Sequence, residues 1–219
     1  DLAAKGSSQI GGNLSTNAGG VRVIRYGMAR KWVSAIQAVT LCGEIIELNR
    51  DLEKNNTGYD LLQLLIGSEG TLAVITEATL KLAPLPKNAT VFLFSLAKVD
   101  ALEPLFAAAR KGPFTITAFE FFSQRCLKVV ESALGRRSRL QNPGDFYALM
   151  EVETENHPQA KAAMEDWLTA LVESDIVADG LLADSAEAQK AAWGLREGIT
   201  ESLAMTGAVR KYDVCVPVR

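Results

Sequence analysis

The segment Gly11-Gly12-Asn13-Leu14-Ser15-Thr16-Asn17-Ala18-Gly19-Gly20 holds four glycines and no charge in ten residues. Without a Cβ in the way, such a backbone can bring its amides within hydrogen-bond distance of a bound group. Asn13, Ser15, Thr16 and Asn17 add short polar side chains. Two readings stand side by side: a cradle for a cofactor, or a flexible surface loop. The spacing is not Gly-x-Gly-x-x-Gly after a strand, and no lysine follows the glycines as in a P-loop. A nicotinamide enzyme of the Rossmann type and a P-loop ATPase are both disfavoured. A second cluster, Gly67-Ser68-Glu69-Gly70-Thr71-Leu72, reads on its own as a tight turn into a strand.

Composition narrows the classes further. The chain has 219 residues, 48% of them hydrophobic, and a formal net charge of −3. That is globular composition, richer in apolar residues and poorer in net charge than a disordered chain. No Lys/Arg-dense stretch exceeds Arg136, Arg137 and Arg139, so nucleic acid finds no phosphate track and is not an expected partner. No apolar run reaches the roughly 18–20 residues of a membrane helix. Cys42, Cys126 and Cys215 are odd in number and far apart, which reads as thiols in a reducing compartment rather than a disulfide framework. One histidine, His157, and three scattered cysteines assemble no zinc cluster, and His157 before Pro158 reads as an exposed residue at a helix start.

Periodicity divides the chain in two at Pro84-Leu85-Pro86, where proline removes donors and favours extended geometry. Residues 1–86 are glycine-rich and β-like. Residues 33–48 read as a hairpin broken at Cys42-Gly43-Glu44, and residues 71–82 as a strand. That strand alternates cleanly, with Leu72, Val74, Thr76, Ala78 and Leu80 on one side and Ala73, Ile75, Glu77 and Thr79 on the other. Residues 87–219 alternate strands and helices: strands at 90–96, 114–121, 145–153, 176–182 and 212–218, helices at 99–111, 123–134, 159–173 and 185–205. The fold class is α+β, a mainly antiparallel sheet covered by helices.

The last helix carries an unusual arginine. At helical spacing, Ala188, Ala192, Leu195, Ile199 and Leu203 form its apolar stripe, and Arg196 falls at the edge of it with Thr200 one turn on. Its neighbours at three and four residues are Ala192, Trp193, Ile199 and Thr200, none acidic. A guanidinium on a half-apolar face needs a partner from elsewhere. Either a carboxylate of the fold supplies it, or an anionic substrate does, gripped by two hydrogen bonds. Lys211 adds a second positive charge.

The two glycine clusters, taken with Gly6-Ser7, Ile10-Gly11-Gly12-Asn13, Thr16-Asn17-Ala18-Gly19-Gly20, Arg25-Tyr26-Gly27, Asn56-Thr57-Gly58-Tyr59-Asp60 and Leu65-Ile66-Gly67-Ser68-Glu69-Gly70-Thr71-Leu72, resemble the vanillyl-alcohol-oxidase type of FAD-binding domain. Within it they resemble the FAD-dependent D-2-hydroxyacid dehydrogenases: D-2-hydroxyglutarate dehydrogenase, D-lactate dehydrogenase and the flavin subunit of glycolate oxidase. The resemblance implies the second half of a flavin domain over 1–86 and an incomplete substrate (cap) domain over 87–219. It places Gly12, Asn13, Ser15, Thr16, Asn17, Gly19, Gly20, Gly70, Val74 and Ile75 at FAD. The family has glycine where this chain has Ala73, so a methyl group is expected to crowd the cofactor there. The run Arg196, Thr200, Lys211, followed by Tyr212-Asp213 and Val216-Pro217, matches the family's carboxylate-holding trio.

By the same resemblance the activity is oxidation of a D-2-hydroxy acid by hydride transfer to flavin N5, with electrons passed to an electron-transfer protein or a quinone. A divalent, zinc-like metal and the catalytic base belong downstream of residue 219. No catalytic residue and no metal ligand is therefore assigned within this chain. The implied setting is cytoplasmic, or the mitochondrial matrix in a eukaryote, and a homodimer is one assembly it allows. The alternatives are an alkylglycerone-phosphate-synthase-like enzyme on the same flavin fold, and a non-catalytic interaction module.

Overall fold

The computed structural model describes residues 2, 4–50, 52–86, 88–155 and 158–217. His157 lies outside them. The chain divides into two compact units, residues 1–87 with 116–119, and residues 88–115 with 120–219.

The first unit opens with two short helices, α1 (Ile10–Ser15) and α2 (Val23–Tyr26). The glycine-rich stretch, expected to be cradle or loop, thus contains a helical turn and a half despite glycine's poor propensity. A 3-10 turn at Ala29–Trp32 leads into β1 (Val33–Thr40), which pairs antiparallel with β2 (Ile45–Leu48) across the expected hairpin. Next come α3 (Leu61–Leu65), whose first turn is capped by Asp60 Oδ1 accepting from the Gln63 N–H at 3.1 Å, and β3 (Ala73–Leu80). The sheet order is β2-β1-β3.

Two bulges in the β1–β3 ladder change which residues face the core. Opposite Gln37 and Ala38 stand Glu77 and Ile75, so Thr76 is an extra residue; Ser34 is extra on β1 between Val33 and Ala35. An inserted residue flips the side-chain phase of its strand. On β3, Ala73 and Ile75 face inward before the bulge, and Ala78 and Leu80 after it. The single alternation expected for this strand therefore breaks at Thr76, and Val74 points out, 60% exposed. The core joins Val33, Ile36, Ala38 and Ala73 to Leu14 of α1 and to Leu62, Leu65 and Ile66 at α3.

The second unit alternates strands and helices: β4 (Ala89–Leu96), α4 (Leu102–Ala109), β5 (Thr115–Ser123), α5 (Gln124–Leu134), β6 (Phe146–Glu153), α6 (Pro158–Glu173), β7 (Asp179–Ala183) and α7 (Ala186–Met205). The sheet order is β5-β6-β4-β7, with β4 antiparallel to both neighbours. Both faces of β4 are covered, which explains its continuous apolar run. Phe92 and Phe94 stack at 5.6 Å and meet the Trp167 ring of α6 edge-on at 5.8 and 6.4 Å. The Trp167 indole N–H donates to Ala108 O of α4 at 3.2 Å. On the opposite face, Trp193 of α7 donates to Glu151 Oε2 of β6 at 3.0 Å. Each fully buried side chain of this size contributes about 1.5–3 kcal/mol.

Helix α7 also packs closely on α5. A Cβ at Gly198 would come within 3.0 Å of Leu134 Cδ1 and 3.4 Å of Val130 Cγ1. The exposed carbonyl of Gly194 accepts from Arg136 Nη1 at 2.9 Å. The loop that follows Arg136 is tied by Asp179, whose Oδ2 accepts from the backbone N–H of Gln141 and Asn142 at 2.6 and 2.9 Å. Burial alone would raise this carboxyl, yet the N–H groups of Asn142, Gly180 and Gln141 together hold it below its ordinary 3.8.

Past α7 the strand expected at 212–218 does not form: residues 212–217 have no regular structure, and Val218 lies outside the described residues. Tyr212, Val214 and Val216 carry the alternating pattern but are 82%, 80% and 74% exposed. A strand pattern alone is not enough, because its backbone groups need a neighbouring strand.

Two outcomes follow from this packing. Gly198→Val should destabilise the second unit by about 1–3 kcal/mol in urea unfolding, through overpacking against Leu134. Asp179→Asn should cost about 1 kcal/mol near neutral pH. Because the folded-state carboxyl is depressed, its contribution is full above the ordinary 3.8 and is lost as pH falls through the lower folded value. The gap between wild type and Asp179→Asn in urea titrations should therefore close in strong acid.

Candidate functional site

The two glycine clusters of the first unit meet. Helix α1 ends where the Thr16 N–H and hydroxyl both donate to Gly12 O at 3.0 Å. The chain then turns through Asn17, whose φ of 49° is left-handed and whose Oδ1 accepts from the Arg30 N–H at 3.0 Å. The second cluster docks on that turn: the Gly67 N–H donates to Leu14 O at 3.1 Å and the Glu69 N–H to Ser15 O at 2.9 Å. Gly67 has φ +88°, and a Cβ there would sit 3.2 Å from Asn17 Cβ, so both backbone geometry and crowding require glycine. Arg30 fastens the junction from the side, with Nη2 donating to Ile66 O at 3.0 Å.

This junction sorts the expected flavin contacts. Around Gly11, Gly12 and Gly70 an added Cβ would meet nothing of the protein within 4 Å, so backbone faces open space there. That is the surface a flat ligand with a pyrophosphate can approach, and FAD fits these residues on that ground. Asn13, Gly19 and Gly20 line a groove of about 530 Å³ together with Ile10, Tyr26 and Trp32.

The polar side chains are more engaged than their sequence pattern suggests. Asn13 Nδ2 donates to Ser8 Oγ at 3.3 Å, while the Thr16 hydroxyl and the Asn17 amide serve the turn itself. Ser15 lends its carbonyl to Glu69. Of the two β3 residues expected at the cofactor, Val74 presents its side chain outward and Ile75 packs against the core. Ala73 is 2% exposed within that core, so its methyl group fills the protein interior and does not point outward at a ligand.

The Asn-Thr-Gly-Tyr-Asp run has a visible local role. Besides capping α3 through Asp60, its residues Thr57 to Asp60 line a polar cavity of about 370 Å³ with Glu47 and Asn49. Sequence periodicity gave no sign of that cavity.

In the second unit, Ser185 caps α7, its Oγ accepting from the Ala188 N–H at 3.2 Å. The helix buries Ala192, Trp193, Leu195, Gly198 and Ser202. Arg196 lies at the border of this face with its side chain 31% exposed. Its partner within the fold is Glu120 of β5: Nε and Nη2 donate to the same Oε2 at 2.8 and 2.7 Å. The carboxylate left open by the sequence is therefore present. A guanidinium has two edges that can bind a carboxylate, Nε–Nη2 side-on and Nη1–Nη2 end-on, and Glu120 occupies the first.

Thr200 is exposed one turn along the same helix, and Lys211 is exposed beyond it in irregular chain. Arg196 and Thr200 are thus brought together by α7, whereas no regular element fixes Lys211. Among the described residues, no group of three or more His, Cys, Asp or Glu side chains could hold a metal ion. No helix among them is long and apolar enough to cross a membrane.

Sequence reasoning missed Glu120 and the seam between α5 and α7. A glutamate within the aromatic run Phe119-Glu120-Phe121-Phe122 was one available signal, and the Gly-x-x-x-Gly spacing of Gly194 and Gly198 was another.

Comparison with known proteins agrees with these features. Residues 85–219 match the family of FAD linked oxidases, C-terminal domain, and residues 1–49 match an FAD binding domain. The chain is 45% identical over 204 residues to D-2-hydroxyglutarate dehydrogenase of Xanthomonas citri pv. viticola, covering 93% of this chain and 43% of that protein. It is 39% identical over 222 residues to the mitochondrial D-2-hydroxyglutarate dehydrogenase of Arabidopsis thaliana, covering 100% of this chain and 39% of that one. The chain thus spans about two fifths of the length of these relatives. A solved structure of alkyldihydroxyacetonephosphate synthase superposes with a TM-score of 0.63 at 18% identity, over 94% of this chain and 38% of that one, a likeness of fold. The expected α+β class and vanillyl-alcohol-oxidase-type architecture are borne out, and the chain belongs to the family of FAD-linked oxidases.

Proposed function

We propose that this chain is part of an FAD-dependent D-2-hydroxyacid dehydrogenase, with residues 1–86 the second half of its flavin domain and residues 87–219 the greater part of its substrate domain. The single observation that carries the reading is the hydrogen-bonded junction of the two glycine clusters, with open backbone at Gly11, Gly12 and Gly70. D-2-hydroxyglutarate is the first candidate substrate, since relatives 39–45% identical carry that name. Lactate and glycolate are the others. The alkyldihydroxyacetonephosphate synthase likeness rests on fold at 18% identity and supports that alternative less.

In this reading the backbone of Gly12, Gly19, Gly20 and Gly70 lies along the flavin and its pyrophosphate, with Asn13, Ser15, Thr16 and Asn17 shaping the wall. Val74 packs against the cofactor through its side chain and Ile75 meets it through its backbone. When bound, the flavin supplies a two-electron sink for the bond to hydrogen at the substrate α-carbon.

The protein's own residues orient the acid. Arg196 offers its Nη1–Nη2 edge to the carboxylate as a bidentate donor. Thr200 adds a hydroxyl, and Lys211 a point charge that offsets the neutralisation of Arg196 by Glu120. Holding the carboxylate at two or three points fixes which face of the α-carbon is presented, which is catalysis by orientation. A divalent metal would draw its ligands from outside this chain. Electrons leave to a separate protein or quinone acceptor, in the cytoplasm or the mitochondrial matrix.

In the full-length flavoprotein, Arg196→Ala should lower kcat/KM for D-2-hydroxyglutarate by about 100-fold or more while flavin absorbance stays unchanged. Wild-type kinetics in that variant would remove Arg196 from the site.

A further inference from the structure

We infer that Glu120 is a positioning residue: it clamps the Nε–Nη2 edge of Arg196 so that the Nη1–Nη2 edge is the one presented to a substrate carboxylate. The inference rests on the proposed role of Arg196 and deepens it.

Both contacts converge on one oxygen of Glu120, at 2.8 Å from Nε and 2.7 Å from Nη2. The guanidinium is planar, so fixing two of its nitrogens fixes the direction of the third. Side-on capture uses one bidentate edge and leaves the other geometrically intact. Glu120 and an incoming carboxylate therefore bind different edges and do not displace each other.

The clamp is also anchored at both ends. Glu120 belongs to β5, and its side chain is only 20% exposed. On α7, Trp193 is bonded to Glu151 of β6, Gly194 accepts from Arg136, and Gly198 fits under Leu134. These three contacts fall within three residues of Arg196 on either side. A long, flexible arginine at a border position is thus held from its backbone by packing and from its head by a carboxylate. A rigid donor gives a fixed substrate geometry, which an unclamped arginine would have to adopt at each binding event.

Simple charge arithmetic argues the other way, and this makes the idea testable. Glu120 places a negative charge beside a site for an anion. If it acted only through charge, removing that charge would tighten substrate binding; if it acts by positioning, removal weakens binding.

The test compares Arg196→Ala, Glu120→Ala, Glu120→Met and Glu120→Gln in the full-length flavoprotein, with D-2-hydroxyglutarate and with a neutral 2-hydroxy amide that lacks the carboxylate at C1. Flavin absorbance and Tm report folding, and Glu120→Met, which keeps the side-chain volume but has no oxygen for the guanidinium, decides the matter where Glu120→Ala does not fold. Positioning predicts a KM for the acid raised about 10-fold in Glu120→Met, with kcat changed far less and with turnover of the amide unaffected, and a KM restored toward wild type in Glu120→Gln, whose amide oxygen still accepts from both Nε and Nη2. An unchanged or lowered KM for the acid in Glu120→Met, alongside a collapse in Arg196→Ala, overturns the role of Glu120 alone. Wild-type behaviour of Arg196→Ala overturns the role of Arg196 and this inference with it. Equal losses on acid and amide in Glu120→Met make Glu120 a structural residue and overturn the inference too.

Discussion

Two backbone hydrogen bonds, from the Gly67 N–H to Leu14 O and from the Glu69 N–H to Ser15 O, hold the first unit in its working shape. They join the end of α1 to the turn that precedes β3, and so place Leu14 in the same core as Ile66 and Ala73. The turn can dock only because Gly67 and Gly70 take φ of +88° and +76°, a region costly to residues with a Cβ. With Leu14 buried, Gly12 lies on the other side of α1 and is exposed. The glycines therefore do two jobs: some close the turn, and others leave bare backbone for a ligand.

The second unit solves a different problem, the placing of charge on a packed helix. Helix α7 covers the sheet through Trp193 and meets α5 through Gly194 and Gly198. That packing leaves Arg196 at the border, where water screens it only in part. An unpaired guanidinium there would be costly, and Glu120 relieves the cost while leaving one edge open. On the proposed reading, stability and substrate recognition draw on the same ion pair, and Lys211 is the net positive group of the proposed trio.

Much of this was legible in the sequence, for reasons that differ by element. The β1–β2 hairpin and helices α4 to α7 follow from period and turn chemistry, which are local. The bulges at Ser34 and Thr76 were not legible, because one extra residue flips the facing of a strand without disturbing its alternation. This is why Ala78 and Leu80 share the inward face with Ala73 and Ile75, although sequence alternation put the two pairs on opposite sides. The strand at 212–218 was over-read, since alternation cannot show whether a partner strand exists. Glu120 stands 76 residues from Arg196, and no local rule reaches that far. The glycine motif reads in sequence as a surface for a flavin, but Asn13, Thr16 and Asn17 prove to be tied to neighbouring chain. The resemblance supplied what the residues alone left open between cradle and loop.

The central claim is that the joined glycine clusters form one flavin-facing surface. Amide hydrogen exchange on the full-length flavoprotein, with and without bound FAD, tests it most directly. The account predicts that FAD slows exchange in both segments, 11–20 and 67–72, while the hairpin tip at 41–44 is unchanged. Protection confined to one segment, or absent from both, would contradict it.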